Sequence, residues 1–252
     1  MEETQRDSLE RIVPDAMESG AATGDETLQL HLERYAFAKR MLPSGRVLDL
    51  ACGVGYGTAM LAASASRQVI GGDISGTAIR HARQNYLRPG VSFVRGDGAA
   101  WIRPGTIDGI VSLETLEHVL HPDRLFENFV HLLRPGGMLI ASVPVTPSVD
   151  ANPHHLTDFT PASFRRLGER HGLRPIDSLD QVQTFSPVSI LARREQRTRD
   201  LRVGLLRYYT IHPGALARRI VAVVRFGFTN RYLTVAWRKG ANQVPPPVVD
   251  GP

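Results

Sequence analysis

The stretch Val47-Leu-Asp-Leu-Ala-Cys-Gly-Val-Gly-Tyr-Gly-Thr58 constrains this chain more than any other. A short apolar run leads straight into three glycines spaced two apart, and a helical pattern follows. Glycine at such a turn removes the Cβ that would hold a ligand away from the backbone. Strand, glycine turn and helix in that order open a βαβ unit, the building block of parallel sheets.

The alternation then continues. After a helix over Asp25–Leu42, strands are expected at Arg46–Leu50, Gln68–Asp73, Val91–Arg95, Ile107–Ser112 and Met138–Val143. Helices are expected at Tyr56–Ala65, from a Ser75 cap to Tyr86, and over Pro122–Leu133. Pro161–His171 adds a helix, and Leu173–Leu179 and Tyr232–Trp237 add two strands. The pattern predicts an α/β fold, a doubly wound and mostly parallel sheet of seven strands with a helical insertion before the last. The organisation is an arm over 1–24, a core over 25–185, an insertion over 186–230, a closing strand over 231–240 and a proline-rich flexible tail over 241–252.

Charge is concentrated in one of these parts. Arg193–Lys239 holds 12 cations and 2 anions, against 18 and 23 in the remainder, so the formal net charge of +5 belongs to the insertion and last strand. That distribution argues against a nucleic-acid-binding domain, and no known RNA-binding module is visible in the insertion. Its arginines alternate with apolar residues, which suits a lid, an acceptor cleft or a homodimer face. Cys52 is the only cysteine, which excludes an intrachain disulfide and a cysteine zinc site. No membrane span or secretory signal is visible, and a cytoplasmic location is expected.

A Gly-x-Gly turn alone also suits a dinucleotide dehydrogenase. Here the glycines fall at 53, 55 and 57 and position 58 is Thr, so the Gly-x-Gly-x-x-Gly spacing of a nicotinamide-dependent oxidoreductase is not met. Three acids are in phase with the loop. Asp49 closes the first strand, Asp73 ends Ile70-Gly-Gly-Asp-Ile74, and Asp97 follows the third strand in Val94-Arg-Gly-Asp-Gly98. Each stands at the carboxyl end of its strand, where open α/β sheets bind ligands. Together with Leu132-Leu-Arg-Pro-Gly-Gly-Met-Leu139, these segments resemble the ordered motifs of class I S-adenosylmethionine-dependent methyltransferases. The resemblance covers about Asp25–Leu179. It implies that Gly53 and Gly55 approach the methionine part of S-adenosylmethionine, that Asp73 holds its ribose, that Asp97 and Gly98 hold the adenine, and that Asp49 belongs to the same cofactor site. It also implies that Ile74 packs on the adenine, that Leu113 lines the pocket and that Arg34 or Tyr35 closes over the methionine end. Trp101 is read either as an adenine cover or as core, and Cys52 as packing.

Past the fourth strand comes Glu114-Thr-Leu-Glu117-His118. Read as helical, Glu114, Glu117 and His118 fall at i, i+3 and i+4 on one face. Two carboxylates and an imidazole can hold Mg²⁺ or Mn²⁺. A second histidine source, Asn152-Pro-His-His-Leu156, follows strand five. The pair of motifs resembles metal-assisted O-methyltransferases, such as those of ubiquinone synthesis and small-RNA 3′ ends. That likeness makes His155 the fourth ligand or the general base, with His154 competing for the place and His118 a second base. Glu10-Arg-Ile-Val-Pro14, His31-Leu-Glu-Arg-Tyr35 and Asn152-Pro-x-His155 further resemble methyltransferases of bacterial polysaccharide and glycolipid pathways. The expected activity is O-methylation of a sugar hydroxyl on a saccharide or glycolipid, with a phenolic or quinol acceptor as the alternative.

Overall fold

A computed structural model describes residues 22–62, 66–96, 102–185, 202 and 204–241. Asp97, Gly98, Trp101, the N-terminal arm before residue 22, the tail from 242 and the first part of the insertion lie outside the described residues.

Helix α1 (Ala22–Met41) leads into β1 (Gly45–Leu50), α2 (Tyr56–Leu61), β2 (Arg67–Asp73), α3 (Gly76–Tyr86) and β3 (Val91–Arg95). The second half contains β4 (Ile107–Leu113), a 3₁₀ turn (Leu116–His118), α4 (Pro122–Leu132), β5 (Leu133–Pro144), α5 (Pro161–Arg170) and β6 (Leu173–Thr184). Two insertion helices, α6 (Leu205–Ile211) and α7 (Pro213–Phe226), precede β7 (Thr229–Lys239). The strands form one seven-stranded sheet in the order β3-β2-β1-β4-β5-β7-β6. Its first five strands run parallel, and β7 is antiparallel to both β5 and β6. Winding reverses between β1 and β4, the switch point at which such sheets open a crevice beyond their carboxyl ends.

Local chemistry sets the helix starts. Ser75 Oγ accepts from the Ala78 N–H at 3.2 Å and caps α3. Thr160 and Ser163 form a reciprocal capping box for α5, with Pro161 in the first turn. The sheet separates two apolar layers. One gathers Leu48, Ile110, Phe126, Phe129, Phe164 and Trp237, with the Trp237 indole edge-on to Phe126 and Phe164 at 5.4 and 5.1 Å. The other packs Tyr35, Phe37 and Leu42 of α1 over Val47, Val69, Val111 and Ile140. Every residue of β4 is buried, as expected for the middle of a sheet covered on both faces.

The final hairpin is longer than its sequence pattern predicts. β6 continues to Thr184, and β7 spans 229–239 because the two strands pair along their whole length. Apolar alternation fades past Leu179 since the inward positions are Gln181 and Gln183. Their amides bond to Leu30, Glu33, Glu26 and Thr27 of α1. A polar ladder replaces an apolar face there, so hydropathy does not mark the strand. Lys239 is buried, and its ammonium donates to the Val130 and Leu133 carbonyls at 2.6 and 2.7 Å.

Candidate functional site

The glycine loop between β1 and α2 is shaped by the acids around it. Asp73 accepts from the backbone N–H of Gly53 at 2.9 Å and of Ser75 at 2.8 Å, tying the ends of β1 and β2 together. Each carboxylate oxygen can accept more than one hydrogen bond, so this anchoring leaves capacity for ribose hydroxyls. Gly53 has φ +54°, and a Cβ built on it meets nothing within 4 Å, so its backbone borders open space. Next to Asp73, Ile74 is 63% exposed, a large apolar side chain presented to the crevice. An adenosyl group would find here an uncovered backbone, a carboxylate and an apolar surface, which suits it.

The other two glycines serve packing. A Cβ on Gly55, at φ +94°, would lie 2.6 Å from Ala82 and 2.9 Å from the Phe93 ring, and one on Gly57 would collide with the Tyr35 ring. Gly55 therefore lets α2 pack against α3 and β3. Asp49 is buried beneath the loop. Thr58 Oγ1 donates to it at 2.6 Å and the Tyr35 hydroxyl at 3.4 Å. Burial raises its pKa to about 7 against the pull of those two hydroxyls, and nearby Asp73 adds to the rise. Thr58 has no role in the sequence reading, although it sits one helical turn into α2, facing back to the strand. Leu113 is buried in the apolar layer with Val111, Met138 and Ile140.

At the end of β4 the structure departs from a helical reading. Glu114 has φ +50°, a left-handed conformation, and only Leu116–His118 form a 3₁₀ turn. The i, i+3, i+4 geometry is thus broken at its first member. Glu114 turns toward β5, where Ser142 Oγ donates to it at 2.8 Å, and toward the Arg34 guanidinium at 3.7 Å. It does not join the expected metal cluster. Arg34, 3% exposed, is held by this ion pair, by Gln181 Oε1 at 2.7 Å from its Nε, and by the Tyr232 ring at 4.3 Å. It locks α1 to β4, β6 and β7.

Glu117, His118 and His155 do come together. One ligand atom from each lies within 4.8 Å of the others. The His118 and His155 rings are 4.7 Å apart and nearly perpendicular. His118 Nδ1 is 3.3 Å from the His154 carbonyl oxygen, which can only accept, so the contact is a hydrogen bond when that nitrogen carries the proton. Nε2 lies 3.9 Å from Glu117 Oε1. His155 Nδ1 is 2.7 Å from Ser148 Oγ, and Asp158 Oδ1 accepts from the Ser148 N–H at 2.7 Å. Burial lowers the pKa of His155 to about 3, helped by His118 and His154, so its imidazole is neutral. The His154 side chain is exposed and stands outside the cluster. The Glu117 carbonyl accepts from Leu156 and Thr157, pinning the histidine loop to the turn after β4. Ser148 and Asp158 escaped the sequence reading because no fixed spacing relates them to His155.

Residues 47–137 match the family model described as a methyltransferase domain. A probable S-adenosylmethionine-dependent methyltransferase of Mycolicibacterium smegmatis is 32% identical over 174 residues, 62% of this chain and 66% of that protein. A ubiquinone biosynthesis O-methyltransferase of Xanthomonas campestris is 33% identical over 112 residues, 43% of this chain and 46% of its own length. The chain thus spans less than two thirds of these curated relatives. Among solved structures, a putative methyltransferase from Bacillus halodurans superposes with a TM-score of 0.60 at 14% identity, over 83% of this chain and 98% of that one. No described helix is long and apolar enough to cross a membrane. Residues 47–137 are thus similar to a methyltransferase domain, and the seven-stranded sheet has the Rossmann-like fold of class I methyltransferases.

Proposed function

We propose that the protein is an S-adenosylmethionine-dependent O-methyltransferase whose acceptor is a sugar hydroxyl of a saccharide or glycolipid. The observation that carries the O-methyl part is the meeting of Glu117, His118 and His155 past β4, beside the glycine loop past β1. The short motifs resembling polysaccharide and glycolipid methyltransferases support the sugar acceptor. The Xanthomonas relative favours a second reading, a phenolic or quinol hydroxyl.

S-adenosylmethionine, when bound, supplies a methyl group on a sulfonium that needs no further activation. The acceptor oxygen forms a bond to that carbon as the carbon–sulfur bond breaks, and the hydroxyl proton must leave. The protein's tasks are alignment and proton removal. Asp73 and Ile74 would hold the adenosyl part. His118 Nε2, an acceptor when Nδ1 carries the proton, is suited to take the hydroxyl proton. Glu117 and His155 are suited to hold a divalent cation, which would lower the hydroxyl pKa and fix its direction. With Glu114 turned away, one carboxylate and one imidazole make a donor set less oxygen-rich than expected, which suits Mn²⁺ better than Mg²⁺.

The test is calorimetric titration of Mn²⁺ into metal-stripped protein, paired with a labelled methyl-transfer screen over oligosaccharides, glycolipids and phenols with and without EDTA. Glu117→Gln should lose Mn²⁺ binding while keeping S-adenosylhomocysteine binding. The His155→Ala defect should be partly relieved by excess metal, and the His118→Ala defect should persist. Full turnover after confirmed removal of metal would discard the cation and leave His118 as a simple base.

A further inference from the structure

Helices α6 and α7 carry a run of large apolar side chains that face solvent. On α7 the inward stripe is Ala215, Arg219, Ala222, Val223 and Phe226, at i, i+4, i+7, i+8 and i+11. The opposite stripe is apolar as well. Leu216, Ile220, Val221 and Val224 are 38, 53, 63 and 82% exposed, and on α6 Leu206 and Ile211 are 84 and 62% exposed. Solvent-facing positions of a helix are ordinarily polar, so an apolar outer face marks an interaction surface. Arg207, Arg218 and Arg225 are exposed on the same two helices. The sequence contains no Asp or Glu from residue 201 to 249.

The outward orientation is built in. Arg219, on the inner stripe, makes a two-pronged ion pair with buried Asp150, Nε to Oδ2 at 2.9 Å and Nη2 to Oδ1 at 2.5 Å. Tyr209 of α6 donates to the same carboxylate at 2.6 Å, and Arg219 also donates to the Pro147 carbonyl. Both helices are therefore clamped to the segment after β5, and the apolar stripe of α7 faces away from the body.

We propose that the α6–α7 face binds the surface of an anionic lipid bilayer. The charge pattern selects that occupant. A helix with an apolar face and flanking arginines lies in the interfacial plane, its aliphatic side chains among the acyl chains and its guanidinium groups on headgroup phosphates. A second copy of the chain suits the face poorly. A two-fold contact would bring two sets of arginines together with no carboxylate from these helices to answer them. The clamped segment after β5 also leads to His155, so the bilayer would lie on the side of the molecule that carries the histidine cluster. Presentation of a lipid-borne acceptor there rests on the O-methyltransferase reading, whereas bilayer binding does not.

Flotation of the full chain with vesicles tests the surface without any methyl transfer. One vesicle set is phosphatidylcholine alone and the other contains phosphatidylglycerol. Binding to the phosphatidylglycerol set is expected, weakening in high salt. Arg218→Glu with Arg225→Glu should reduce it by about tenfold or more, and Val221→Asp with Val224→Asp should reduce it further. All four positions are solvent-facing, so both double variants should melt like the parent. Absence of parent binding to anionic vesicles would overturn the proposal, as would undiminished binding by the valine variant. A dimer seen by light scattering and dissociated by these substitutions would place a second copy on the face and overturn it equally.

Discussion

The glycine loop and the histidine cluster both lie past the carboxyl ends of strands in one sheet, yet they are held in different ways. The loop is shaped by close neighbours, with Gly53 and Ser75 on Asp73, Thr58 on Asp49, and positive φ at Gly53 and Gly55. The cluster joins a turn at 116–118 to a segment at 148–158 through carbonyls and a serine. Its nearest apolar support is Leu116 and Phe159, each anchored in the core. One site is part of the folding unit, and the other is suspended from it. Substitutions should therefore cost stability at the first and chemistry at the second.

The largest effect expected is at Gly57. Gly57→Val drives side-chain atoms into the buried Tyr35 ring, which should cost about 3 kcal/mol, toward the upper end for overpacked cores. Gly53→Ala has room and should cost only about 1 kcal/mol for its left-handed backbone. Thermal or urea melts of the pair check this, and equal losses would break the distinction between packing and ligand-facing glycines. At the suspended site, His118→Ala should leave the melting curve unchanged and lower kcat by about 10²–10⁴-fold, the usual range for a general base. If it unfolds the protein instead, the cluster belongs to the folding unit after all.

Asp73→Ala sharpens the comparison because that residue anchors the loop and, on the proposed function, would hold the ribose. It should weaken S-adenosylhomocysteine binding by about 1–3 kcal/mol through unpaired polar groups, measured by calorimetry, with a smaller loss of stability. The smallest effect concerns Asp49. Its folded pKa of about 7 lies above the ordinary carboxyl value, so the unfolded chain releases this proton first. Its contribution is fully favourable below the ordinary value and is lost as pH rises to about 7. Asp49→Asn should flatten that part of the stability profile in denaturant melts between pH 4 and 8. Parallel profiles for parent and variant would contradict a raised carboxyl.

What the sequence disclosed follows the same division. Strand alternation and the glycine turn were legible because short-range spacing carries them, and the sheet has the seven strands and mostly parallel winding that the pattern implies. Glu114 was misplaced because i, i+3, i+4 spacing presupposes a helix, and one positive φ cancels it. The Arg34–Gln181 bond spans 147 positions and the Arg219–Asp150 pair 69, distances over which no periodicity speaks. Gln181 and Gln183 hid the end of β6 for a related reason, since a polar inward face looks like an exposed one until its partners are known.

The strand order also bears on how the molecule comes off the ribosome. β7 inserts between β5 and β6, so of the seven strands described the one made last is not the last in space. Until residues 229–239 have emerged, β5 shows an apolar edge with open hydrogen-bonding groups, and β6 has no neighbour to pair with. An unpaired edge is a template for the wrong strand. Until then β5 and β6 wait unsealed for the strand that joins them. A stop codon anywhere before β7 would release a product that lacks the central seam of that half, and would not merely trim its border.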